Sequence, residues 1–184
     1  MGTDKRMLVL NGETFFNRTL GVLANNFSEV IVVFGQDDFP VDDDKIRVVK
    51  DVIPNRAAAG GVYTGLFHST LDRIFVVACD MPFLNPEVIQ YMASIATNFD
   101  ITLAELEHGL QTMHAIYSKR CLPLLERMVK NETLRIQDLV DEPSLVVRKV
   151  LEPEILPYDY QLLSFMNVNS PADYELARKI CGSQ

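Results

Sequence analysis

The sequence predicts an α/β fold in which helices cover a mostly parallel sheet. Three short β-branched runs, at 30–34, 46–49 and 74–77, are separated by segments with helical spacing. Continuous apolar runs of this length are typical of strands that are buried on both faces of a sheet. Because strands and helices alternate, we expect right-handed crossovers between parallel strands.

Two helices are predicted in the first half of the chain. Four apolar residues from Phe16 to Phe27 recur at helical spacing and lie on one face of the first helix. Asn85 and Pro86 form an N-cap and first-turn pair, which opens a helix over 87–96.

The second half of the sequence predicts a hairpin, further strands and helices, and one irregular segment. Glu107-His108-Gly109 is a turn signal between two strands. A last helix is expected from Ser170-Pro171 to about Ile180, because these residues form an N-cap and a first-turn proline. No repeat or linker interrupts the chain, so a single domain over 1–184 is predicted. The remaining predicted elements are strands at 101–106, 112–117, 144–150 and 162–166, helices at 119–130 and 133–140, and an irregular segment at 151–160.

Composition narrows the class of protein. The net charge of −8 and the absence of a basic patch argue against a nucleic-acid partner. No apolar run approaches the roughly 18 residues of a membrane span, and the charged start is unlike a signal peptide. The three cysteines, Cys79, Cys121 and Cys181, have no CxxC spacing, which favours a reducing, cytoplasmic compartment. Cys79 is predicted to be a buried strand cysteine.

Asp80 is the first candidate for chemistry, because it follows an apolar strand and precedes Pro82 by two positions. In open α/β sheets, ligands collect at the carboxyl ends of the strands. A carboxylate is costly to desolvate there unless it has a partner, and a metal ion is a natural one. Alternatively, Asp80 caps the turn before the proline.

Four segments occur in order along the chain: Met1-Gly2-Thr3-Asp4-Lys5-Arg6-Met7-Leu8, Asp51 with Ala57-Ala58-Ala59-Gly60-Gly61, Cys79-Asp80-Met81-Pro82, and Asn167-Val168-Asn169-Ser170-Pro171. Together they resemble the molybdenum cofactor guanylyltransferases, within the wider nucleotidyltransferase group. This resemblance implies a three-layer Rossmann-like nucleotidyltransferase fold with a mostly parallel mixed sheet. It also implies transfer of GMP from GTP to molybdenum-molybdopterin, with release of pyrophosphate.

The implied reaction joins two anions, so the site must neutralise charge and hold the groups in line. The resemblance assigns Mg²⁺ binding to Asp80 and a triphosphate contact to Lys5, both as catalytic residues. One aspartate is sufficient, since Mg²⁺ keeps several waters and takes few protein carboxylates. The alternative for Lys5 is a solvated surface lysine.

The resemblance places Asp51, Gly60 and Gly61 with Lys5 and Asp80 in the nucleotide site. Glycine lets a backbone approach a ligand closely. The alternatives are a strand-ending aspartate before Pro54 and a tight strand-to-helix junction. Alanines at 57–59 depart from the Gly-Pro-Leu pattern of relatives, so a cytidylyltransferase acting on the same cofactor stays an alternative.

The resemblance implies three substrate-binding residues on the side of the cleft that binds molybdopterin, namely Asn167, Asn169 and His114. The two asparagines share one face of an extended strand end. Turn and capping chemistry is the alternative for both. For His114 the alternative is a half-buried strand histidine.

Relatives begin with a strand and a Leu-Ala-Gly-Gly turn that wraps the triphosphate, and this chain is expected to lack both. A missing central strand leaves unpaired backbone groups on its neighbours. A misplaced start, a truncated gene or a repurposed fold would each explain this, and a catalytically silent nucleotide- or cofactor-binding protein is therefore another alternative. The open edge favours self-association. Transient contacts with other molybdenum cofactor biosynthesis proteins or with molybdoenzymes also fit the resemblance.

Overall fold

The computed structural model of the chain describes residues 7–35, 45–53, 57–131 and 135–182, so Lys5 lies outside the described residues. The strands there are β1 (Val9–Leu10), β2 (Glu13–Thr14), β3 (Val30–Phe34), β4 (Ile46–Lys50), β5 (Arg73–Val77), β6 (Ile101–Leu106), β7 (Gly109–Ser118) and β8 (Val147–Leu151). The helices are α1 (Phe15–Asn26), α2 (Ala57–His68), α3 (Pro86–Ile95), α4 (Leu122–Asn131), α5 (Glu152–Ile155) and α6 (Pro171–Gly182).

The larger sheet has the strand order β5-β7-β6-β8. β7 is antiparallel to both β5 and β6, and β8 is parallel to β6. Strands β5, β6 and β8 therefore run in one direction and β7 in the other. The sheet is mixed, as predicted.

β3 and β4 form a separate parallel pair, with register from Val30↔Ile46 to Phe34↔Lys50. Helix α2 lies between β4 and β5 in the chain. Within the described residues, no ladder joins β3 to β5.

The core packs on both faces of the larger sheet. On one face, Leu66 of α2 and Leu125 of α4 lie against Tyr117 of β7, and all three are fully buried. On the other face, Met92 of α3 packs with Ile116. This gives helix, sheet and helix layers around β5 to β8.

Several predicted elements are confirmed. The β-branched runs are β3, β4 and β5, the predicted hairpin is β6 and β7, and α3 and α6 begin at the predicted prolines. The predicted helix over 119–130 consists of a 3-10 turn at Lys119–Cys121 followed by α4. No helix in the described part of the chain has the length and apolarity needed to cross a bilayer.

Other predictions are wrong. The strand predicted over 162–166 is a 3-10 turn at Leu163–Phe165, preceded by Leu162 with a φ of 55°. The segment predicted as irregular over 151–160 contains α5. The helix predicted over 133–140 is a 3-10 segment, Ile136–Asp141, in its described part.

A short hairpin near the start is absent from the predicted elements. β1 and β2 pair antiparallel across Asn11 and Gly12, whose φ angles are 49° and 81°. Asn-Gly is a strong signal for this turn type, since both residues tolerate positive φ. Thr14 then caps α1 by accepting a hydrogen bond from the Asn17 N–H at 3.2 Å.

Candidate active site

Two segments that are far apart in sequence are joined beside the carboxyl end of β5. The Val168 N–H donates to the Asp80 carbonyl at 2.9 Å. Asp80 follows β5, and Val168 lies between Asn167 and Asn169. This bond brings together three of the residues predicted from sequence.

Helix α1 holds the turn that carries Asp80. The Thr19 hydroxyl donates to the Met81 carbonyl at 3.5 Å, and the Arg18 Nε–H donates to the Pro82 carbonyl at 3.4 Å. Met81 is buried, whereas Asp80 is half-buried, with its Oδ1 atom closed off from solvent. The carboxylate therefore stands on a fixed turn at the rim of the sheet.

The two asparagines are held differently. The exposed Asn169 donates its backbone N–H to Asp173 Oδ2 at 3.0 Å, and Ser170 donates to the same oxygen at 2.7 Å. The half-buried Asn167 donates its side-chain Nδ2 to the Phe165 carbonyl at 3.4 Å. Within the described residues the Asn167 amide oxygen accepts no hydrogen bond, so it can accept one from a ligand.

Asp51 links the end of β4 to α2. Its Oδ1 accepts hydrogen bonds from the Thr64 hydroxyl at 2.7 Å and from the Ile53 N–H at 3.1 Å. Thr64 is fully buried, and the Asp51 N–H donates to the Phe34 carbonyl at 2.7 Å. These bonds order the turn that begins at Asp51, and Oδ2 accepts none from the described residues.

Gly60 and Gly61 lie inside α2 and not in a strand-to-helix loop. A Cβ at Gly61 would meet nothing within 4 Å, so this glycine borders open space. A Cβ at Gly65 would meet Ile74 Cδ1 at 3.2 Å. The close approach of helix to sheet is therefore at Gly65.

His114 is fully buried and so does not reach a cleft in this structure. Its Nε2 lies 2.9 Å from Ser164 Oγ, which also accepts the Asn85 N–H at 3.0 Å. Ser164 donates its own N–H to Asp159 Oδ2 at 2.7 Å. This network ties β7 to the 3-10 turn that precedes Asn167, and the sequence interpretation missed both Ser164 and Asp159.

His114 is buried among aromatic rings, and this burial determines its protonation state. Its ring centroid lies 4.9 Å from Phe75, edge to face, and 4.4 Å from Phe165. Burial lowers the pKa of His114 from 6.5 to about 4, because the charged form cannot be solvated. The ring is therefore neutral at physiological pH.

The oxygen groups around Asp80 suit a hard divalent cation. Carboxylate and amide oxygens are the ligands of Mg²⁺ and Mn²⁺, and such ions keep several waters when few protein ligands are present. No group of three or more His, Cys, Asp and Glu side chains in the described residues forms a fuller cage. A single strand-end aspartate, on a turn whose backbone is bonded to the segment carrying Asn167 and Asn169, fits an ion that keeps several waters.

Cys79, predicted to be buried, is exposed, whereas Cys121 and Cys181 are buried. It follows β5 directly and lines the cavity between β3 and β5, where no strand among the described residues pairs with β5.

Residues 1–145 match the MobA-like NTP transferase domain. The probable molybdenum cofactor guanylyltransferase of Natranaerobius thermophilus is 31% identical over 192 residues, which cover 99% of this chain and 90% of that protein. The corresponding protein of Pelotomaculum thermopropionicum is 31% identical over 182 residues, which cover 97% of this chain and 85% of that protein.

Solved structures show the same fold. Molybdopterin-guanine dinucleotide biosynthesis protein A from Archaeoglobus fulgidus superposes with a TM-score of 0.84 at 22% identity, over 100% of this chain and 93% of that one. Rv0371C of Mycobacterium tuberculosis, solved in complex with manganese, has a TM-score of 0.70 at 18% identity, over 97% and 93% of the two chains. The chain therefore belongs to the MobA-like nucleotidyltransferases, in the family of the molybdenum cofactor guanylyltransferases.

Proposed function

We propose that this protein transfers GMP from GTP to molybdenum-molybdopterin. The observation that supports the proposal is the hydrogen bond from the Val168 N–H to the Asp80 carbonyl, which joins the backbone of Asp80 to the segment that carries Asn167 and Asn169. An acidic group and two amides at the carboxyl end of a strand suit a ligand that combines phosphates with a polar acceptor. Family membership supports the same reaction.

The reaction is an in-line displacement at phosphorus. A phosphate oxygen of the acceptor attacks the α-phosphorus of GTP, the new P–O bond forms, and the bond to the pyrophosphate oxygen breaks. Such a step needs positioning and charge neutralisation more than covalent chemistry from the protein. Asp80 would hold a divalent ion, proposed to be Mg²⁺, which neutralises the phosphates when bound.

The neighbouring residues supply orientation. Asn167 and Asn169 would contact the acceptor substrate. The amide oxygen of Asn167 accepts no hydrogen bond within the described residues. His114 would act as a positioning residue, because it is buried and reaches the site only through Ser164 and the turn before Asn167. Lys5 keeps its proposed contact with the triphosphate.

The nucleoside side would be formed by Asp51 and the start of α2. The first N–H groups of a helix have no partner within the helix and attract anions. Gly60 lies in this first turn of α2, and Gly61 follows it. Oδ2 of Asp51 is available to a ribose or base, since the bonds from Thr64 and Ile53 use Oδ1.

Calorimetric titration of the chain with GTP, CTP and ATP, with and without Mg²⁺, tests the proposal. We expect magnesium-dependent binding of GTP, weakened about tenfold or more in Asp80→Asn, since about 1.4 kcal/mol corresponds to a factor of ten. Asp72→Asn is the matched control, because Asp72 is an exposed aspartate at the opposite end of β5.

Unchanged GTP binding in Asp80→Asn would remove Asp80 from the proposed site. A preference for CTP would transfer the proposal to a cytidylyltransferase. Binding of GTP without release of pyrophosphate, in the presence of molybdenum-molybdopterin, would mark a silent binding protein.

A further inference from the structure

The hydroxyl of Ser164 lies where three parts of the chain meet, and its side chain is fully buried. Oγ accepts the Asn85 N–H at 3.0 Å and lies 2.9 Å from Nε2 of His114. Asn85 caps α3, His114 belongs to β7, and Ser164 stands in the 3-10 turn Leu163–Phe165. We call these three residues and the two contacts between them the Ser164 clamp.

The clamp joins two segments of the proposed site. One is residues 80–85, which begin at Asp80 and end at Asn85, and we call it the Asp80 turn. The other is residues 165–169, which directly follow Ser164 and contain both asparagines that are proposed to contact the acceptor. We call it the acceptor segment.

A second bond joins the same two segments. The Val168 N–H donates to the Asp80 carbonyl at 2.9 Å, at the beginning of the Asp80 turn. The clamp acts at the end of that turn, through the Asn85 N–H. One link alone would leave the acceptor segment free to rotate about it, whereas two links fix both its distance and its direction. Residues that support a site in this way hold its contact groups in the geometry that the chemistry needs.

Burial holds the clamp in one arrangement. Ser164 donates its backbone N–H to Oδ2 of Asp159, which is also buried, at 2.7 Å. The rings of Phe75 and Phe165 lie against His114. A hydrogen bond is stronger in such a low-polarity setting, and a buried polar group that loses its partner is costly. The 3-10 turn is therefore not expected to move while the clamp is intact.

The contacts of the clamp also assign the tautomer of His114. The Ser164 hydroxyl has one hydrogen, and its oxygen already accepts the Asn85 N–H. If the hydroxyl donates to Nε2, the ring hydrogen is on Nδ1, and Nδ1–H is then the one group of this contact without a partner in the described residues. The other tautomer leaves both the hydroxyl hydrogen and Nδ1 without one. We therefore expect the Nδ1–H tautomer, with Ser164 as the donor.

The Asp80 turn keeps other support when the clamp is broken. Helix α1 donates to the Met81 carbonyl from the Thr19 hydroxyl and to the Pro82 carbonyl from Arg18. Loss of the Ser164 hydroxyl therefore leaves the carboxylate on its turn and removes one of the two links to the acceptor segment. The two sides of the site should respond differently to this loss.

We propose that Ser164 is a positioning residue for the transfer reaction, and that the clamp sets where the acceptor segment places Asn167 relative to the bound nucleotide. This role rests on the proposed function, because the segment has it only in a transferase that binds an acceptor there. In-line displacement is sensitive to the placement of the attacking group, and a shift of about 1 Å can cost about 100-fold in rate. Ser164 itself is fully buried and acts through the segment that follows it.

Ser164→Ala in the full chain tests this role, with pyrophosphate release from GTP and molybdenum-molybdopterin as the assay. We expect kcat to fall about tenfold and the KM for the acceptor to rise, while the KM for GTP stays within about twofold, because only the acceptor segment loses a link. A purely structural loss would lower the amount of folded enzyme and leave both KM values unchanged.

Ser118→Ala is the matched control. Ser118 is also buried, and its hydroxyl donates to Asp100 Oδ1 at 3.1 Å. It pairs with Arg73, at the end of β5 opposite to Asp80. The control therefore removes an equally buried hydroxyl far from the proposed site, and kcat and both KM values should stay as in the unmodified protein.

Two NMR measurements do not depend on activity. The ring nitrogen shifts of His114 in the unmodified protein should show the hydrogen on Nδ1, which requires no variant. Exchange of the Val168 amide, which reports the remaining link, should be faster in Ser164→Ala than in Ser118→Ala, because the acceptor segment opens locally. Hydrogen on Nε2 would overturn the assignment of Ser164 as a donor.

The outcomes separate the clamp from the transferase. Pyrophosphate release by the unmodified protein, with equal kcat and KM values in the two serine variants, overturns the positioning role and leaves the proposed function standing. Equal exchange of the Val168 amide in the two variants overturns the clamp whether or not the protein is a transferase. Absence of pyrophosphate release by the unmodified protein overturns the proposed function, and the positioning role with it.

Discussion

The buried ring of His114 makes the stability of the fold depend on pH. Its pKa is about 4 in the folded protein and 6.5 in an unfolded chain, because burial disfavours the charged ring. Between these values the unfolded state binds a proton that the folded state does not. This group therefore lowers the stability of the fold as the pH falls from about 6.5 toward 4, and has no effect on it above that window.

We expect His114→Gln to flatten this part of the pH profile. The amide can still meet Ser164 but does not titrate, so the free energy of unfolding should depend less steeply on pH between 4 and 6.5. As the pH falls from 6.5 to 4, the free energy of unfolding of the unmodified protein should decrease by on the order of 3 kcal/mol more than that of His114→Gln. Urea unfolding at several pH values measures it.

His108→Gln is the control for this substitution, because His108 is an exposed turn residue. It should keep the steep profile of the unmodified protein. Identical slopes for the two variants would mean that the acid sensitivity arises elsewhere, for example in carboxylates.

The sequence pattern singles out Asp80, which follows an apolar run at a turn, whereas Asn167 and Asn169 are assigned from the family resemblance; the roles of all three stay predictions. It did not find the Ser164–Asp159 pair, since that bond depends on the fold of the turn over 159–165. It also could not place His114 inside, because strand alternation does not say which face is covered. A strand-to-helix junction is the alternative to nucleotide binding for Gly60 and Gly61, and the structure places both glycines inside α2.

At the scale of elements, α6 depends on its first turn. Ser170 Oγ accepts the Asp173 N–H at 3.2 Å, and Asp173 Oδ2 accepts the Ser170 N–H at 2.7 Å. This reciprocal pair satisfies two backbone donors at the helix start. It also fixes the backbone of Asn169, which donates to the same carboxylate.

We expect Ser170→Ala to reduce the free energy of unfolding by about 1 kcal/mol, the usual value of an N-cap hydroxyl. Chemical unfolding followed by circular dichroism measures the change. Ser144→Ala is the control, since Ser144 is exposed and outside a helix, and should have little effect. Equal stability of the two variants would show that Pro171 and Asp173 hold the helix start without the hydroxyl.

The predicted boundaries of β3 to β5 agree with the structure to within one residue, because β-branched runs favour strands. The expectation that these strands are buried on both faces is wrong for β4, which is largely exposed, and for β5, which is half-buried. The run over 162–166 is equally apolar but is not a strand. There Leu162 has a positive φ, and the Ser164 N–H bonds to Asp159 in place of a neighbouring strand. Hydropathy alone does not distinguish these two environments.

At the scale of the whole molecule, an apolar cavity of about 540 Å³ separates β3 from β5, and no ladder joins the two strands within the described residues. The Val30 N–H donates toward β4 and the Ala78 N–H toward β7, and successive residues of a strand turn their backbone groups to opposite edges. We therefore expect the amides that face the cavity, at Ile31, Val33, Phe75 and Val77, to exchange hydrogen faster than those of Val32, Ile74 and Val76. Amides without a ladder partner exchange through small local openings. Residue-resolved exchange measured by NMR would show alternation along both strands.

Uniform protection along β3 and β5 would mean that the two strands pair with each other in solution. The fold class followed from the order of strands and helices. The register of β7 between β5 and β6 did not, since it depends on contacts between distant parts of the chain.

The long hairpin of β6 and β7 has a consequence for how the protein folds. Its strands are adjacent in sequence, joined by a tight turn at Gly109 with a φ of 109°, and β7 also pairs with β5. Contacts between sequence neighbours lose little chain entropy on closure and form early, whereas pairing of distant segments is slow. Folding is therefore expected to begin at this hairpin and to add β5 and β8 before β3 and β4. Late intermediates would then contain the core around Tyr117 and lack the β3–β4 pair.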